Sequence, residues 1–226
     1  MSVQAIAQAA RGLFDLPVAV GVTRPIDVQP DLLPGEAAVI AQAVPGRRAE
    51  FRAGRAAARQ AMVALGGAPQ AVLAAPDRAP IWPAGLVGSI SHNADYCIAV
   101  LALAQDAAAL GIDIEDDSPL PRDLVHEVCV ANERARIAGP DAAHLAKRIF
   151  CAKEATYKAQ YPLTGLLFGF DQIEVTLGGD AGSFTARFVK PTGRFAVGDC
   201  LPGRIAQVAG HLVTGVAIGQ ITAKGA

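Results

Sequence analysis

Leu110-Gly-Ile-Asp-Ile-Glu115 alternates apolar and acidic residues with the period of an extended strand. Side chains along a strand point to opposite faces in turn, so Ile112 and Ile114 go one way while Asp113 and Glu115 go the other. Two carboxylates about 7 Å apart on one face repel each other unless positive charge lies between them. A hard divalent cation with oxygen ligands suits that gap. The same stretch also describes a half-exposed strand with a solvated acidic face, continued by Asp116-Asp117.

Downstream, residues 144–160 carry helical periodicity, ended by Pro162 and Gly165. Lys147, Cys151, Glu154 and Lys158 fall on one stripe, with Leu145, Ile149, Ala152 and Thr156 opposite. Glu154 and Lys158 form an i, i+4 pair, a common surface arrangement. If this helix packs beside the Asp-x-Glu strand, Glu154 becomes a third carboxylate. Upstream, residues 96–103 read as a strand joined to 110–115 by a short Gln-Asp-Ala turn, which predicts a hairpin. Residues 122–138 are mostly helical, and 172–222 read as an antiparallel meander. The first 46 residues, broken by five prolines, read as strands and turns.

A helix over residues 47–65 carries Arg48, Arg52, Arg55 and Arg59 on one stripe, beside Phe51, Ala58, Met62 and Leu65. With Arg47 it makes a local cation patch, and the positive end of its dipole suits a bound anion. Solvated basic faces of this kind are also common. Ser89-Ile-Ser91-His92 places a His among hydroxyls, although neighbours on a strand face opposite ways, which disfavours a Ser-His nucleophile pair. The two halves share an order of loop, basic helix, loop and apolar strands, with a division near Gln105.

Composition removes other classes. With 20 Lys plus Arg against 21 Asp plus Glu and 5% aromatics, the chain lacks the overall charge and stacking residues of a nucleic-acid binder. Its longest apolar run, residues 97–104, is far short of the roughly 20 needed to span a bilayer, so no membrane association is expected. The first ten residues lack a signal-peptide pattern. Four scattered cysteines without a Cys-x-x-Cys pair suit a reduced cytoplasmic protein. Carboxylates, Arg, Lys and His together describe a site for a polyanion and a metal, as phosphoryl transfer requires.

The motifs resemble those of the 4′-phosphopantetheinyl transferases, in the branch that includes enterobactin synthetase component D. The matching blocks are Arg47-Arg-Ala-Glu-Phe-x-x-Gly-Arg55, Pro80-Ile-Trp-Pro-Ala-Gly-Leu-Val-Gly-Ser-Ile-Ser-His92, Gly111-Ile-Asp-Ile-Glu115 and Phe150-Cys-Ala-Lys-Glu-Ala-Thr-Tyr-Lys158, running on to Tyr161-Pro-Leu-Thr-Gly165. They span roughly residues 47–175, and residues 1–46 and the last strands carry little of the match. The resemblance implies an α+β fold of two similar α/β subdomains, residues 1–105 and 106–226, in a pseudo-twofold arrangement with the site at their interface. It implies Mg²⁺-dependent transfer of phosphopantetheine from coenzyme A to a serine of an acyl or peptidyl carrier protein, releasing adenosine 3′,5′-bisphosphate. Asp113, Glu115 and Glu154 would hold Mg²⁺ or Mn²⁺, and Glu154 would act as base, directly or through water. Lys158 would neutralise the pyrophosphate, with Lys153 reaching it too, and Ser91 and His92 would contact it. Arg47 and Arg55, with Arg48 assisting, would clamp the 3′-phosphate, and Arg78 occupies a basic position before the Pro-x-Trp-Pro loop. An internal pseudo-dimer makes a monomer the default.

Cys151 stands where many members have Ser, and Asn93 follows the His where Cys or Ser is frequent. Neither alters the charge of the site. Two other readings use the same residues, a Mg²⁺-dependent coenzyme A phosphohydrolase and a non-catalytic coenzyme A binder.

Overall fold

The computed structural model describes residues 3–179 and 182–220. The chain runs through α1 (Val3–Arg11), β1 (Ala19–Thr23) and a 3-10 turn (Ala37–Ile40) into the long α2 (Pro45–Ala64). Two short strands follow, β2 (Leu73–Ala74) and β3 (Pro80–Ile81), then β4 (Leu86–His92), β5 (Cys97–Leu103) and β6 (Ala109–Asp116). After α3 (Arg122–Val128) and α4 (Ala131–Arg136) comes the second long helix, α5 (Ala142–Thr164). β7 (Ile173–Leu177), β8 (Ser183–Phe188), β9 (Cys200–Val208) and β10 (His211–Ile218) complete the α+β fold.

Besides the short β2-β3 pair, the described residues form two larger antiparallel sheets, one in the order β1-β5-β4 and one in the order β6-β10-β9-β8-β7. Each has a long helix on one face. Ala57, Ala58, Ala61 and Met62 of α2 pack on Ala99 and Leu101 of β5. Ala152, Ala155 and Ala159 of α5 share a larger core with Leu212, Val216 and Phe188. The opposite faces meet, as Val20, Val22, Ile98 and Val100 of the first sheet join Ile112, Ile114 and Val213 of the second, closed by Ile6 and Ala10 of α1. Burying such side chains contributes roughly 1.5–3 kcal/mol each. The arrangement is two α/β subdomains whose sheets share a central core.

Several sequence expectations change here. Residues 96–115 form no hairpin, because β5 has both edges taken, by β1 and β4, while β6 pairs with β10 in the other sheet. β5 is apolar on both faces, and the acidic face of β6 is covered by α5, so neither pattern names a neighbouring strand. The outer edge of β6 is instead met by β4 through side chains. Ser89 Oγ accepts the Ile112 amide at 3.1 Å and Ser91 Oγ accepts that of Ile114 at 3.4 Å. The start of the chain is helical, with Ile6 and Ala10 one turn apart and fully buried. α5 runs through Pro162 and stops at Gly165, whose φ of 65° suits a glycine after a helix. The meander is present, although its last two expected residues lie outside the described ones.

Candidate active site

Between α2, β4, β6 and α5 lies a cavity of about 610 Å³ lined by residues of both subdomains. That volume is in the range of pockets for sizeable small molecules. Arg47, Arg55 and Arg78 line it together with Ser91, His92, Asp113, Glu115, Glu154 and Lys158.

The acidic end is built by packing α5 on the face of β6 that carries Gly111, Asp113 and Glu115. A side chain at Gly111 would overlap the carbonyl of Ala155, so only glycine lets the helix approach closely enough to set Glu154 on the same cavity as Asp113 and Glu115. Lys158 donates to Asp113 Oδ1 at 2.7 Å and to Ser91 Oγ at 2.9 Å, and Ser91 itself donates to the same Oδ1 at 2.9 Å. Lys147 pairs with Glu115 Oε2 at 2.6 Å. Burial raises the pKa of Glu154, opposed by Lys158 and reinforced by Asp113 and Glu115. Asp113 Oδ2 is buried with no hydrogen-bond partner among the described residues. A desolvated acceptor is costly unless a cation completes it, and the carboxylates of Glu115 and Glu154 line the same cavity. The oxygen donors are thus of the kind a hard divalent metal takes, although Lys158 and Lys147 hold Asp113 and Glu115 here.

At the basic end, Arg47 donates to His92 Nε2 at 2.7 Å and pairs with Glu50 at 3.1 Å. An arginine can only donate, so Nε2 accepts and the proton of the neutral ring is on Nδ1. Burial lowers the pKa of His92, with Arg47 and Lys158 adding to the effect and Glu50 and Asp113 opposing it. Arg55 is buried, stacked 4.1 Å over the Phe51 ring, and donates through Nε to the carbonyl of Val72 at 2.7 Å. Desolvation lowers its pKa to about 10, against the opposing pull of Glu36. Arg78 sits in the turn between β2 and β3 at φ 73°, a left-handed conformation that costs a non-glycine residue roughly 1–2 kcal/mol.

Four expectations are corrected. Lys153 does not reach the cavity. Its ammonium is buried against Glu133 at 2.8 Å and the carbonyls of Val128 and Phe170, because it lies about 100° around the helix from Glu154. Arg48 turns the other way and donates to Ala41 in the segment folded under the start of α2. The arginine stripe is split, with Arg48 and Arg52 exposed, while Arg55 and Arg59 are buried and Arg59 is paired with Glu36 at 2.9 Å. Finally, α2 begins at Pro45, ahead of Arg47, so Arg47 and Arg55 stand about 12 Å apart along its axis and Arg47 leans to His92 instead. Cys151 is fully buried and its thiol pKa is pushed well up by burial, which leaves it inert. Glu50 and Phe150 line the cavity without having been singled out, as does Phe51, read from the sequence only as part of the helix's apolar edge, although Glu50 three residues after Arg47 has the spacing of a helical ion pair.

Two family profiles match the chain, one described as 4'-phosphopantetheinyl transferase N-terminal domain over residues 35–102 and one as 4'-phosphopantetheinyl transferase superfamily over residues 109–200. The 4'-phosphopantetheinyl transferase Svp of Streptomyces mobaraensis is 43% identical over 195 residues, 83% of this chain and 78% of its own length. The chain belongs to the 4′-phosphopantetheinyl transferases. PptT of Mycobacterium tuberculosis, another 4'-phosphopantetheinyl transferase, is 40% identical over 159 residues, 70% of each chain. Enterobactin synthase component D of Salmonella typhi is 36% identical over 141 residues, 58% of this chain and 55% of its own. The two profiles end and begin on either side of the crossing from β5 to β6. A 4′-phosphopantetheinyl transferase moves phosphopantetheine from coenzyme A onto carrier proteins. Cations from both subdomains line the cavity. No described helix is long and apolar enough to cross a membrane.

Proposed function

We propose that coenzyme A lies along this cavity with its 3′-phosphate at Arg55 and Arg78 and its pyrophosphate at Arg47, Ser91, His92 and Lys158. Residues 1–105 then supply the phosphate clamp and the Ser-His loop, and residues 106–226 the acidic strand and the Lys-Glu helix. Asp113, Glu115 and Glu154 would hold Mg²⁺ or Mn²⁺. When bound, that ion supplies positive charge to offset charge gathering on the pyrophosphate oxygens. Glu154 takes the proton from the serine hydroxyl of an acyl or peptidyl carrier protein, directly or through water. Its raised pKa makes it a stronger base than an ordinary carboxylate. The serine oxygen bonds to the β-phosphorus of coenzyme A as the bond to the leaving oxygen breaks, releasing adenosine 3′,5′-bisphosphate, whose charge Lys158 offsets. The observation that carries the reading is one cavity lined both by Asp113, Glu115 and Glu154 of the second subdomain and by Arg47, Arg55 and Arg78 of the first.

The internal pairing of subdomains supplies the interface that a dimer would otherwise provide, so the proposed state is a monomer. The proposed location is the cytoplasm, with which four free thiols, Cys97, Cys129, Cys151 and Cys200, are compatible.

The test is mass spectrometry of an apo-carrier incubated with the protein, coenzyme A and Mg²⁺. The expected product is a carrier bearing one phosphopantetheine, formed about 10²–10⁴-fold more slowly by Glu154→Gln, the usual worth of a general base. Free phosphopantetheine with an unmodified carrier would identify a hydrolase instead. An undiminished rate in the variant would remove Glu154 from the role of base.

A further inference from the structure

On the opposite face of β6 from the catalytic carboxylates, Asp116 meets His211, its register partner at the start of β10, and Asp95 from the turn between β4 and β5. One ligand atom from each of the three lies within 4.8 Å of the others. His211 is buried at 6% exposure, held edge-on against Tyr96 at 5.1 Å between ring centres. Its Nδ1 lies 2.9 Å from the carbonyl of Ala209, which only accepts, so Nδ1 carries a proton. Its Nε2 is buried, makes no hydrogen bond among the described residues, and points between Asp95 Oδ2 at 3.4 Å and Asp116 Oδ1 at 3.5 Å.

In the neutral ring, that arrangement aims a lone pair at two carboxylates, which is repulsive unless something positive lies between them. A proton on Nε2 is one candidate, but charge-assisted N–H···O bonds close to about 2.7–2.9 Å. Both separations are too long for that. They match a metal. Two ligands about 2.1 Å from a tetrahedral ion lie about 3.4 Å apart, whereas neighbouring ligands on an octahedron lie about 3.0 Å apart. An imidazole donor disfavours Mg²⁺ and Ca²⁺ and suits zinc.

The surroundings are those of a prepared ligand set. The Nδ1 hydrogen bond to a backbone carbonyl fixes the ring and its tautomer, as is usual for metal-binding histidines. Ala209 and Gly210 hold that carbonyl in place with φ of 53° and 80° in the tight turn joining β9 to β10, an unfavourable conformation for an alanine. Asn93 Nδ2 donates to Asp116 Oδ1 at 2.8 Å, while its Oδ1 accepts the amides of Asp95 and Tyr96, so one side chain positions both carboxylates.

We propose that Asp95, Asp116 and His211 bind one Zn²⁺, separate from the metal of the transfer reaction, with a fourth position open to water. None of the three lines the catalytic cavity. The ion would fasten the β4–β5 turn of the first subdomain to β6 and β10 of the second, directly behind the strand that carries Asp113 and Glu115. Its role is to hold the two halves in register.

The test uses the metal-stripped full chain carrying Cys200→Ser, since Cys200 is an exposed thiol that could bind zinc by itself. Co²⁺ replaces Zn²⁺ as a spectroscopic probe, and Zn²⁺ itself is followed by calorimetry and thermal unfolding. One equivalent of Co²⁺ with the intense visible bands of a tetrahedral ion is expected, together with a rise in Tm on adding Zn²⁺. Asp95→Asn, at an exposed position that cannot threaten folding, should weaken binding more than about tenfold. His211→Gln should abolish the bands, and Glu115→Gln should leave them intact. Bands absent from the parent chain, or unchanged by Asp95→Asn, would overturn the site. Loss of the bands in Glu115→Gln would do the same by assigning the ion to the catalytic cavity.

Discussion

α2 and α5 each lie across a strand glycine, Gly21 of β1 and Gly111 of β6, so closely that any side chain there would overlap the carbonyl of Ala57 or Ala155. Each helix also serves a buried glutamate. Glu36 accepts the Leu33 amide three residues before it, the Val72 amide beyond the helix, and the guanidinium of Arg59. Glu133 accepts the Val130 amide three residues before it, the Val175 amide beyond the helix, and the ammonium of Lys153. Setting Ala57 over Ala155 puts Arg55 on Lys153, but Ala56 on Glu154 and Gln60 on Lys158. The two subdomains therefore share one packing scheme, and chemistry has been added to only one of them. Where α5 carries Glu154 and Lys158, α2 has the uncharged Ala56 and Gln60. The one acid of α2 on the cavity, Glu50, is occupied by Arg47.

The sharpest way to break this comparison is to remove the buried glutamates. Glu133→Ala strands the Lys153 ammonium and two amides, and should cost about 3–5 kcal/mol in urea unfolding. Glu36→Ala should cost a similar amount through Arg59. A cost below about 1 kcal/mol for one and several for the other would mean that the halves do not share the scheme.

A smaller effect separates the two cations that fall in register. Arg55 lines the cavity and Lys153 does not. Arg55→Ala should raise the KM for coenzyme A roughly tenfold and lower kcat less, the pattern of lost binding remote from the reacting bond. With 3′-dephospho-coenzyme A the penalty should largely vanish. If the variant still preferred coenzyme A as strongly as the parent does, Arg55 would not hold the 3′-phosphate.

The smallest effect concerns the residue present in only one half. Glu154 keeps its proton to higher pH in the folded chain than in the unfolded one, so its contribution to stability falls as pH rises through the folded pKa. Glu154→Gln should therefore be neutral at acidic pH and stabilising by about 0.5–2 kcal/mol at neutral pH without metal. Thermal unfolding across that range measures it, and a stabilisation largest at low pH would contradict the assignment of strain to this carboxylate.

Much of this site was legible because its residues sit on elements with clear periods. Alternation placed Asp113 with Glu115, and helical spacing placed Glu154 with Lys158. The same helical angle excludes Lys153 from their face, although the motif's adjacent Lys-Glu suggests otherwise. Arg48 was misplaced because its partner, the carbonyl of Ala41, belongs to a turn with no pattern of its own. The β5–β6 hairpin failed for a related reason. Alternation tells which face of a strand a residue takes and not which strand lies beside it, and the hydroxyls that meet the edge of β6, Ser89 and Ser91, are on a third strand. α1 was hidden by the prolines that follow it, despite the spacing of Ile6 and Ala10.

The position of β10 sets the order in which this enzyme can assemble. The first sheet is complete once residue 103 has been synthesised, with β5 already between β1 and β4. β6, made immediately afterwards, has to wait for the strand ending at Ile218 before its ladder can close. Pairing across such a separation is slow, because a long loop must be ordered before its contacts repay the cost. Asp113 and Glu115 are thus among the middle residues to leave the ribosome and among the last to be fixed in place. The inner face of the first sheet, Val20, Val22, Ile98 and Val100, likewise waits for Ile112, Ile114 and Val213 before its core is closed.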